Sequence, residues 1–320
     1  MPRGCIAKSL INRGQWTEIP LGRTVTVQAA EGRTIIEQVA IRVSILLNGA
    51  PMDRYAVFGN PVAHSLSPRI HARFAELMGE RIEYAPILAP ADGFGQRARD
   101  FFASGGRGAN VTLPFKVDAY ALAATRSARA TLAGAANFLQ SRDDGLFADN
   151  TDGAGLVIDL TTNLGVALRG ANILVLGAGG AARGVIAPLL AASPMRLVIA
   201  NRTEATAHEL ASRFGALGTV GGASLEEIPR ERFDLVINAT STSTRGEPLR
   251  LPAHAIGPGT FAYDMAYGAA AAGFLERART AGARAADGLG MLVEQAAESY
   301  ALWRGRRPPT APVLAELRAA

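Results

Sequence analysis

Cysteine is nearly absent from this chain: Cys5 is the only one in 320 residues. A single thiol excludes an intramolecular disulfide and a thiolate metal site, and it suits a reducing cytoplasm. Histidine is scarce as well, with His64, His71, His208 and His254 dispersed along the chain. No metal-ligand spacing emerges from them, so no metal is expected. No stretch of about 18 uninterrupted apolar residues occurs, which argues against a helix that spans a membrane. The most apolar early run, 39–47, is broken by Arg42 and lies too far in for a standard secretory signal. No basic stripe with interleaved aromatics appears, so nucleic acid is not an expected partner. The formal charge of +5 does not alter that, because residues 1–51 hold six Lys/Arg against three Asp/Glu and leave 27 against 25 from Met52 onward.

The most informative scarcity is lysine. Of the 33 basic side chains all but two, Lys8 and Lys116, are arginine. Guanidinium stays charged in a protein, whereas an ammonium can be tuned by burial and neighbours to exchange its proton near neutral pH. Lys116 is therefore a candidate catalytic acid/base; the alternative is a surface lysine that escaped a drift towards arginine.

What is present reads as two α/β series. Residues 1–51 lack sustained helical periodicity and caps and differ from the rest, so they are expected to be a weakly ordered extension or to precede the true start at Met52. From there, strand-like runs (55–58, 82–88, 109–112) alternate with helical patterns (from Ser67-Pro68, with Ser67 as N-cap, and 94–102). A hairpin over 137–147 has Asp144-Gly145 at its turn. The strand at 109–112 is expected to deliver a loop carrying Lys116. A second series follows, with strands at 172–176, 197–200, 234–238 and 261–264 and helices between them. The last helices, 289–303 and 311–317, lie beyond Gly288 and can return to the first domain. The expected organisation is an N-terminal α/β substrate domain, 52–152 plus 288–320, with a Rossmann-type domain over 153–287.

Gly177-Ala178-Gly179-Gly180-Ala181-Ala182 follows an apolar strand and opens a helix in the G-x-G-x-x-A form. Gly177 allows the tight turn, Gly179 admits a pyrophosphate close to the backbone, and small Ala182 lets helix and strand pack. The context points to a dinucleotide site rather than a merely structural turn. After the second strand, Asn201-Arg202-Thr203 offers a cation and a hydroxyl where an NAD site usually has an acid, which favours NADP. Glu204 nearby argues the other way, and Thr203 has the alternative role of capping the next helix.

Ser65 and Ser67 place two hydroxyls at a helix N-terminus, a site for a carboxylate or plain N-capping. Asp152, in Asp149-Asn-Thr-Asp152-Gly153, would make an acid/base pair if it faced Lys116.

Taken together, Tyr55-Ala-Val-Phe-Gly-Asn-Pro61 with Ser65-Leu-Ser-Pro68, Gly108-Ala-Asn-Val-Thr-Leu-Pro-Phe-Lys116, Leu132-Ala-Gly-Ala-Ala-Asn137, the Asp149–Gly153 run, the glycine turn, Asn201-Arg-Thr203, Asn238-Ala-Thr-Ser241 and Ala286-Asp-Gly-Leu-Gly-Met-Leu292 resemble the shikimate dehydrogenase family from Met52 to the end. The resemblance implies a cytoplasmic enzyme, monomer or homodimer, that reduces 3-dehydroshikimate to shikimate with NADPH in aromatic amino-acid biosynthesis. It implies Lys116 and Asp152 as the catalytic pair, Ser65, Ser67 and Tyr267 as holders of the substrate carboxylate, and Thr112, Asn137 and Gln295 around the ring hydroxyls. The cofactor would lie on Gly177, Ala178, Gly179, Gly180 and Ala181 and on Asn201, Arg202 and Thr203, with Met265 and Gly288 near the nicotinamide. Thr206 stands where the family often has a second arginine, which implies a looser grip on the 2′-phosphate. Competing readings are a quinate/shikimate dehydrogenase with relaxed substrate or NAD use, and a non-enzymatic regulator on the same scaffold.

Overall fold

The computed structural model describes residues 7–11, 15–19 and 52–320 apart from Pro248. The chain divides into two units, Met1–Pro51 and Met52–Ala320. In the first, β1 (Ala7–Ile11) and β2 (Gln15–Ile19) pair antiparallel with Ala7 opposite Ile19. The expectation of a weakly ordered extension before a start at Met52 otherwise falls outside the described residues.

The second unit carries two six-stranded sheets. One is built from β3 (Asp53–Gly59), β4 (Ile82–Leu88), β5 (Gly106–Val111), β6 (Thr125–Arg126), β7 (Phe138–Arg142) and β8 (Gly145–Asp149), in the order β4-β3-β5-β7-β8-β6. Tyr55, Ala56, Val57 and Phe58 are all buried, the continuous apolar run of a strand covered on both faces. β3 is parallel to β4 and β5, while β7 runs antiparallel to β5 and forms the expected hairpin with β8. The helices are α1 (Ser67–Met78), α2 (Phe94–Ala103), α3 (Lys116–Leu122) and α4 (Ala128–Ala133).

Two local expectations need correction. Leu66, not Ser67, caps α1; the Ser65 hydroxyl accepts from the Ser67 backbone N–H at 3.3 Å. Lys116 is not in a loop but is the first residue of α3, because Phe115 and Ala119 are both buried in one core cluster and draw a short helix onto the sheet.

A short helix, α5 (Asp152–Ile158), leads from one sheet to the other. The second sheet is wholly parallel: β9 (Asn172–Leu176), β10 (Arg196–Asn201), β11 (Val220–Ser224), β12 (Leu235–Asn238), β13 (Phe261–Asp264) and β14 (Arg284–Asp287), in the order β11-β10-β9-β12-β13-β14. Ile173 and Val175 pack on one side with Val185, and Leu174 and Leu176 on the other with Val236. The strand order reverses between β9 and β12, which opens a crevice at their carboxyl ends. Helices α6 (Gly180–Ala191), α7 (Glu204–Phe214), α8 (Thr242–Arg245) and α9 (Ala272–Thr280) complete this half.

The last helices, α10 (Leu289–Arg304) and α11 (Ala311–Arg318), pack against α1 through Ile70, Phe74, Val293, Tyr300 and Val313, which brings the end of the chain back to its first sheet. Glycines let α5 lie close to both halves. A Cβ on Gly153 would stand 2.5 Å from the Gly184 carbonyl of α6, and one on Gly155 would stand 2.7 Å from Gln295 Cβ of α10. Any side chain there would push Asp152 and Gln295 apart.

Candidate active site

Strand β5 ends at Val111 and α3 begins at Lys116, while α5 begins at Asp152. These helix starts face each other, and Lys116 Nζ donates to Asp152 Oδ2 at 2.6 Å. Their side chains are 12% and 6% exposed, so the pair is largely screened from water yet reachable. The amine is held by one carboxylate oxygen and keeps its other hydrogens for a ligand.

The second carboxylate oxygen is also committed. Asn137 Nδ2 has two hydrogens and three acceptors in range: Thr151 Oγ1 at 2.8 Å, Asp152 Oδ1 at 2.9 Å and Gln295 Oε1 at 3.1 Å. The two shorter bonds use both hydrogens, and the Thr151 hydroxyl lies 3.3 Å from Gln295 Oε1, so that side-chain oxygen accepts at most one bond here and keeps a lone pair to offer. Thr151 Oγ1 lies 3.1 Å from Ser299 Oγ, and Ser299 in turn donates to the backbone carbonyl of Gln295 at 3.0 Å and accepts from Asn110 Nδ2 at 2.9 Å. Tyr84 closes the chain by donating to Asn110 Oδ1 at 2.8 Å. Burial holds the Tyr84 phenol well above its usual range, so it stays a donor.

The network runs towards the two serines. Ser65 is half-buried and Ser67 buried at the start of α1, and Ser67 interacts with the Tyr84 hydroxyl. Tyr267, beyond the end of β13, packs beside Leu66 and interacts with its backbone between the two serines. Its phenol is raised by burial. Thr112 sits half-buried just past β5, its backbone N–H donating to Phe58 at 2.8 Å. The structure thus brings Ser65, Ser67 and Tyr267 together at one end and Lys116, Asn137, Asp152 and Gln295 at the other.

The glycine turn follows β9 at the sheet's crevice. Gly177 has φ +101, a conformation that side chains rarely adopt, and a Cβ on Gly179 would meet nothing within 4 Å. The turn is therefore open above Gly179, and α6 starts there with its backbone N–H groups unpaired by any side-chain cap. A Cβ on Gly180 would lie 3.3 Å from Lys116 Cβ, so the turn lies directly against the acid/base candidate. At the end of β10, Asn201 Nδ2 donates to the Thr203 carbonyl at 3.0 Å and leaves Arg202 and Thr203 exposed. The Thr203 hydroxyl makes no cap bond, so capping does not account for it. Glu204 is turned along its own helix to His208, at 3.1 Å. Gly288 is needed for close approach, since a Cβ there would stand 2.4 Å from the Met265 carbonyl. These features fit a dinucleotide whose adenosine end carries an additional phosphate.

Sequence reasoning did not single out Asn110, Thr151 or Ser299. Each is a small polar residue on a different element, and only their burial together gives them meaning.

Family models match three stretches of the chain: the shikimate dehydrogenase substrate binding domain over residues 57–139, shikimate / quinate 5-dehydrogenase over 159–246, and the shikimate 5′-dehydrogenase C-terminal domain over 288–318. A shikimate dehydrogenase (NADP(+)) of Dechloromonas aromatica (strain RCB) is 57% identical over 268 residues, covering 83% of this chain and 98% of the relative. One from Acidovorax sp. (strain JS42) is 53% identical, covering 85% and 98%. Among solved structures, an Ael1 enzyme from Pseudomonas putida superimposes with a TM-score of 0.76 at 46% identity, covering 83% of this chain and 98% of its own. The shikimate 5-dehydrogenase of Thermus thermophilus, in complex with NADP(H) and shikimate, gives 0.71 at 32% identity, covering 84% and 99%.

Proposed function

The chain belongs to the shikimate dehydrogenase family, and from that premise we propose that it carries out the NADP-dependent interconversion of 3-dehydroshikimate and shikimate with Lys116 and Asp152 as its catalytic pair. The observation that carries the residue assignment is the 2.6 Å contact between the Lys116 ammonium and the Asp152 carboxylate beside the glycine turn.

Bound NADPH supplies the hydride for the ring ketone carbon. Lys116 Nζ gives a proton to the ketone oxygen, and takes it back in the reverse direction. Asp152 fixes the amine through Oδ2 while Asn137 fixes Asp152 through Oδ1, so the ammonium is aimed before the substrate arrives. The Gln295 side-chain oxygen, which the Thr151 hydroxyl also approaches at 3.3 Å, keeps a lone pair that would accept from a ring hydroxyl, and Asn137 and Thr112 would join it around the ring. Ser65, Ser67 and Tyr267 hold the substrate carboxylate at the far end, a role supported by the approach of Tyr267 to the Leu66 backbone. Gly177, Ala178, Gly179, Gly180 and Ala181 would hold the pyrophosphate of the cofactor, Asn201, Arg202 and Thr203 its 2′-phosphate, and Met265 and Gly288 its nicotinamide end. The reaction belongs in the cytoplasm, with the protein as a monomer or homodimer. The test is oxidation of shikimate by NADP, followed by NADPH absorbance and repeated with quinate and with NAD. Turnover with shikimate and NADP is expected to exceed the other three combinations; faster oxidation of quinate, or no turnover, overturns the reading.

A further inference from the structure

We propose that Asp264 is a positioning residue that couples occupancy of the cofactor site to occupancy of the substrate site. The inference rests on the site reading above and deepens it. Asp264 ends β13, is fully buried, and uses both carboxylate oxygens. Oδ2 accepts from Asn238 Nδ2 at 3.0 Å and from Ser243 Oγ at 2.6 Å, and Oδ1 accepts from the Ala266 backbone N–H at 2.9 Å. A carboxylate is costly to bury, and merely ending a strand does not require one. Here it joins two loops that leave neighbouring strands.

On the cofactor side, Asn238 ends β12 and its Oδ1 accepts from the Thr240 N–H at 3.1 Å and hydroxyl at 2.7 Å. The Thr240 methyl in turn lies 3.1 Å from where a Cβ on Gly177 would stand, so this loop braces the first glycine of the cofactor turn. On the substrate side, the bond to Ala266 sets the segment from Met265 to Gly268. The Met265 N–H donates to the Asn238 carbonyl at 2.9 Å, and the Gly268 N–H donates to Asp287 Oδ2 at 3.0 Å. That segment carries Met265, which would meet the nicotinamide in the reading above, and Tyr267, which reaches the Leu66 backbone between the two serines. One buried carboxylate thus holds a wall of each site, and ordering either wall by a ligand orders part of the other. Such a shared element makes two ligands help each other bind without touching.

The experiment titrates NADPH into the full chain by fluorescence, alone and with saturating shikimate; both ligands are reduced, so no turnover intervenes. The ratio of the two dissociation constants is the coupling factor. For the natural sequence we expect shikimate to tighten NADPH about 5- to 10-fold, within the usual range for coupled sites. Asp264→Asn offers one acceptor oxygen where three donors converge and turns an NH₂ towards at least one of them, so its ratio is expected within about twofold of 1 while thermal unfolding remains a single transition. Ser243→Ala removes one donor and spares the carboxylate; its ratio is expected to fall by about 2- to 3-fold, and it decides the matter if the asparagine variant does not fold. Arg202→Ala should weaken NADPH and leave the ratio intact, which separates loss of phosphate binding from loss of coupling. A ratio of 1 in a natural chain that oxidises shikimate, or an unchanged ratio in both Asp264→Asn and Ser243→Ala, overturns the proposal. Absence of shikimate oxidation by the natural chain removes the site reading, and the proposal with it.

Discussion

Replacing Asp152 with asparagine isolates what the carboxylate does for Lys116, since the two side chains share a shape. Two donors flank it: Lys116 Nζ at 2.6 Å on Oδ2 and Asn137 Nδ2 at 2.9 Å on Oδ1. Asparagine has a single acceptor oxygen, so one flank becomes donor against donor whichever way the amide faces. With the aspartate side chain only 6% exposed, water is poorly placed to relieve that contact. Losing one charged hydrogen bond in such a setting costs about 1.5–3 kcal/mol. If that loss falls on the aimed ammonium, turnover drops about 10- to 150-fold at 1.4 kcal/mol per decade. The assay is steady-state shikimate oxidation under saturating NADP, with thermal unfolding as a control. KM for NADP should move by less than about twofold, because Asp152 belongs neither to the glycine turn nor to the 201–203 loop. A folded Asp152→Asn variant that keeps kcat to within about threefold would refute the positioning argument.

Arg202→Ala should raise KM for NADP about 10- to 100-fold and leave KM for NAD nearly unchanged, since a charged hydrogen bond to phosphate carries that much; equal effects on the two would withdraw the phosphate assignment. His71 is fully buried against Tyr84 with neither ring nitrogen in a well-formed hydrogen bond, and burial lowers its imidazole from 6.5 to about 3 against a weak opposing contact with Asn110. The folded state therefore keeps His71 neutral while the unfolded chain gains a proton below 6.5, so stability is independent of this group above that pH and falls by up to about 1.4 kcal/mol per pH unit from there down to about 3. His71→Leu should flatten that slope, read as urea midpoints at about pH 7 and pH 5; parallel falls in both proteins would contradict the assignment. A chain starting at Met52 should match the full chain in melting temperature and turnover, because Met52–Ala320 is a compact unit by itself; a large loss of either would make residues 1–51 integral to the enzyme.

Much of this molecule was legible before its structure, and what escaped did so for physical reasons. Strands such as β9 and β13 were readable because each is an unbroken apolar run ending at a turn or a carboxylate. β11 was not, since its Gly221-Gly222 centre has no strand propensity. The structure supplies the reason for Gly222: a Cβ there would stand 2.6 Å from the His208 backbone N of α7. Lys116 stood out by composition, but that Asp152 faces it depends on two helix starts far apart in sequence. The serine pair misled in one detail, because Ser65 and Ser67 satisfy each other's neighbourhood and leave Leu66 as the cap. Thr151, Ser299 and Asp264 carry no local signature at all. A hydroxyl or a carboxylate announces itself only through what it is buried against.

The central claim is that Lys116 acts by exchanging a proton and not by its charge. Lys116→Arg keeps the charge and removes the exchange, so its kcat for shikimate oxidation, set beside that of Lys116→Ala, is the direct measurement. The account expects both variants to fold, to keep KM for NADP within about threefold, and to lose about 10²-fold or more in kcat. Near-normal turnover by the arginine variant, with the alanine variant inactive, would contradict it and leave Lys116 as a binding charge.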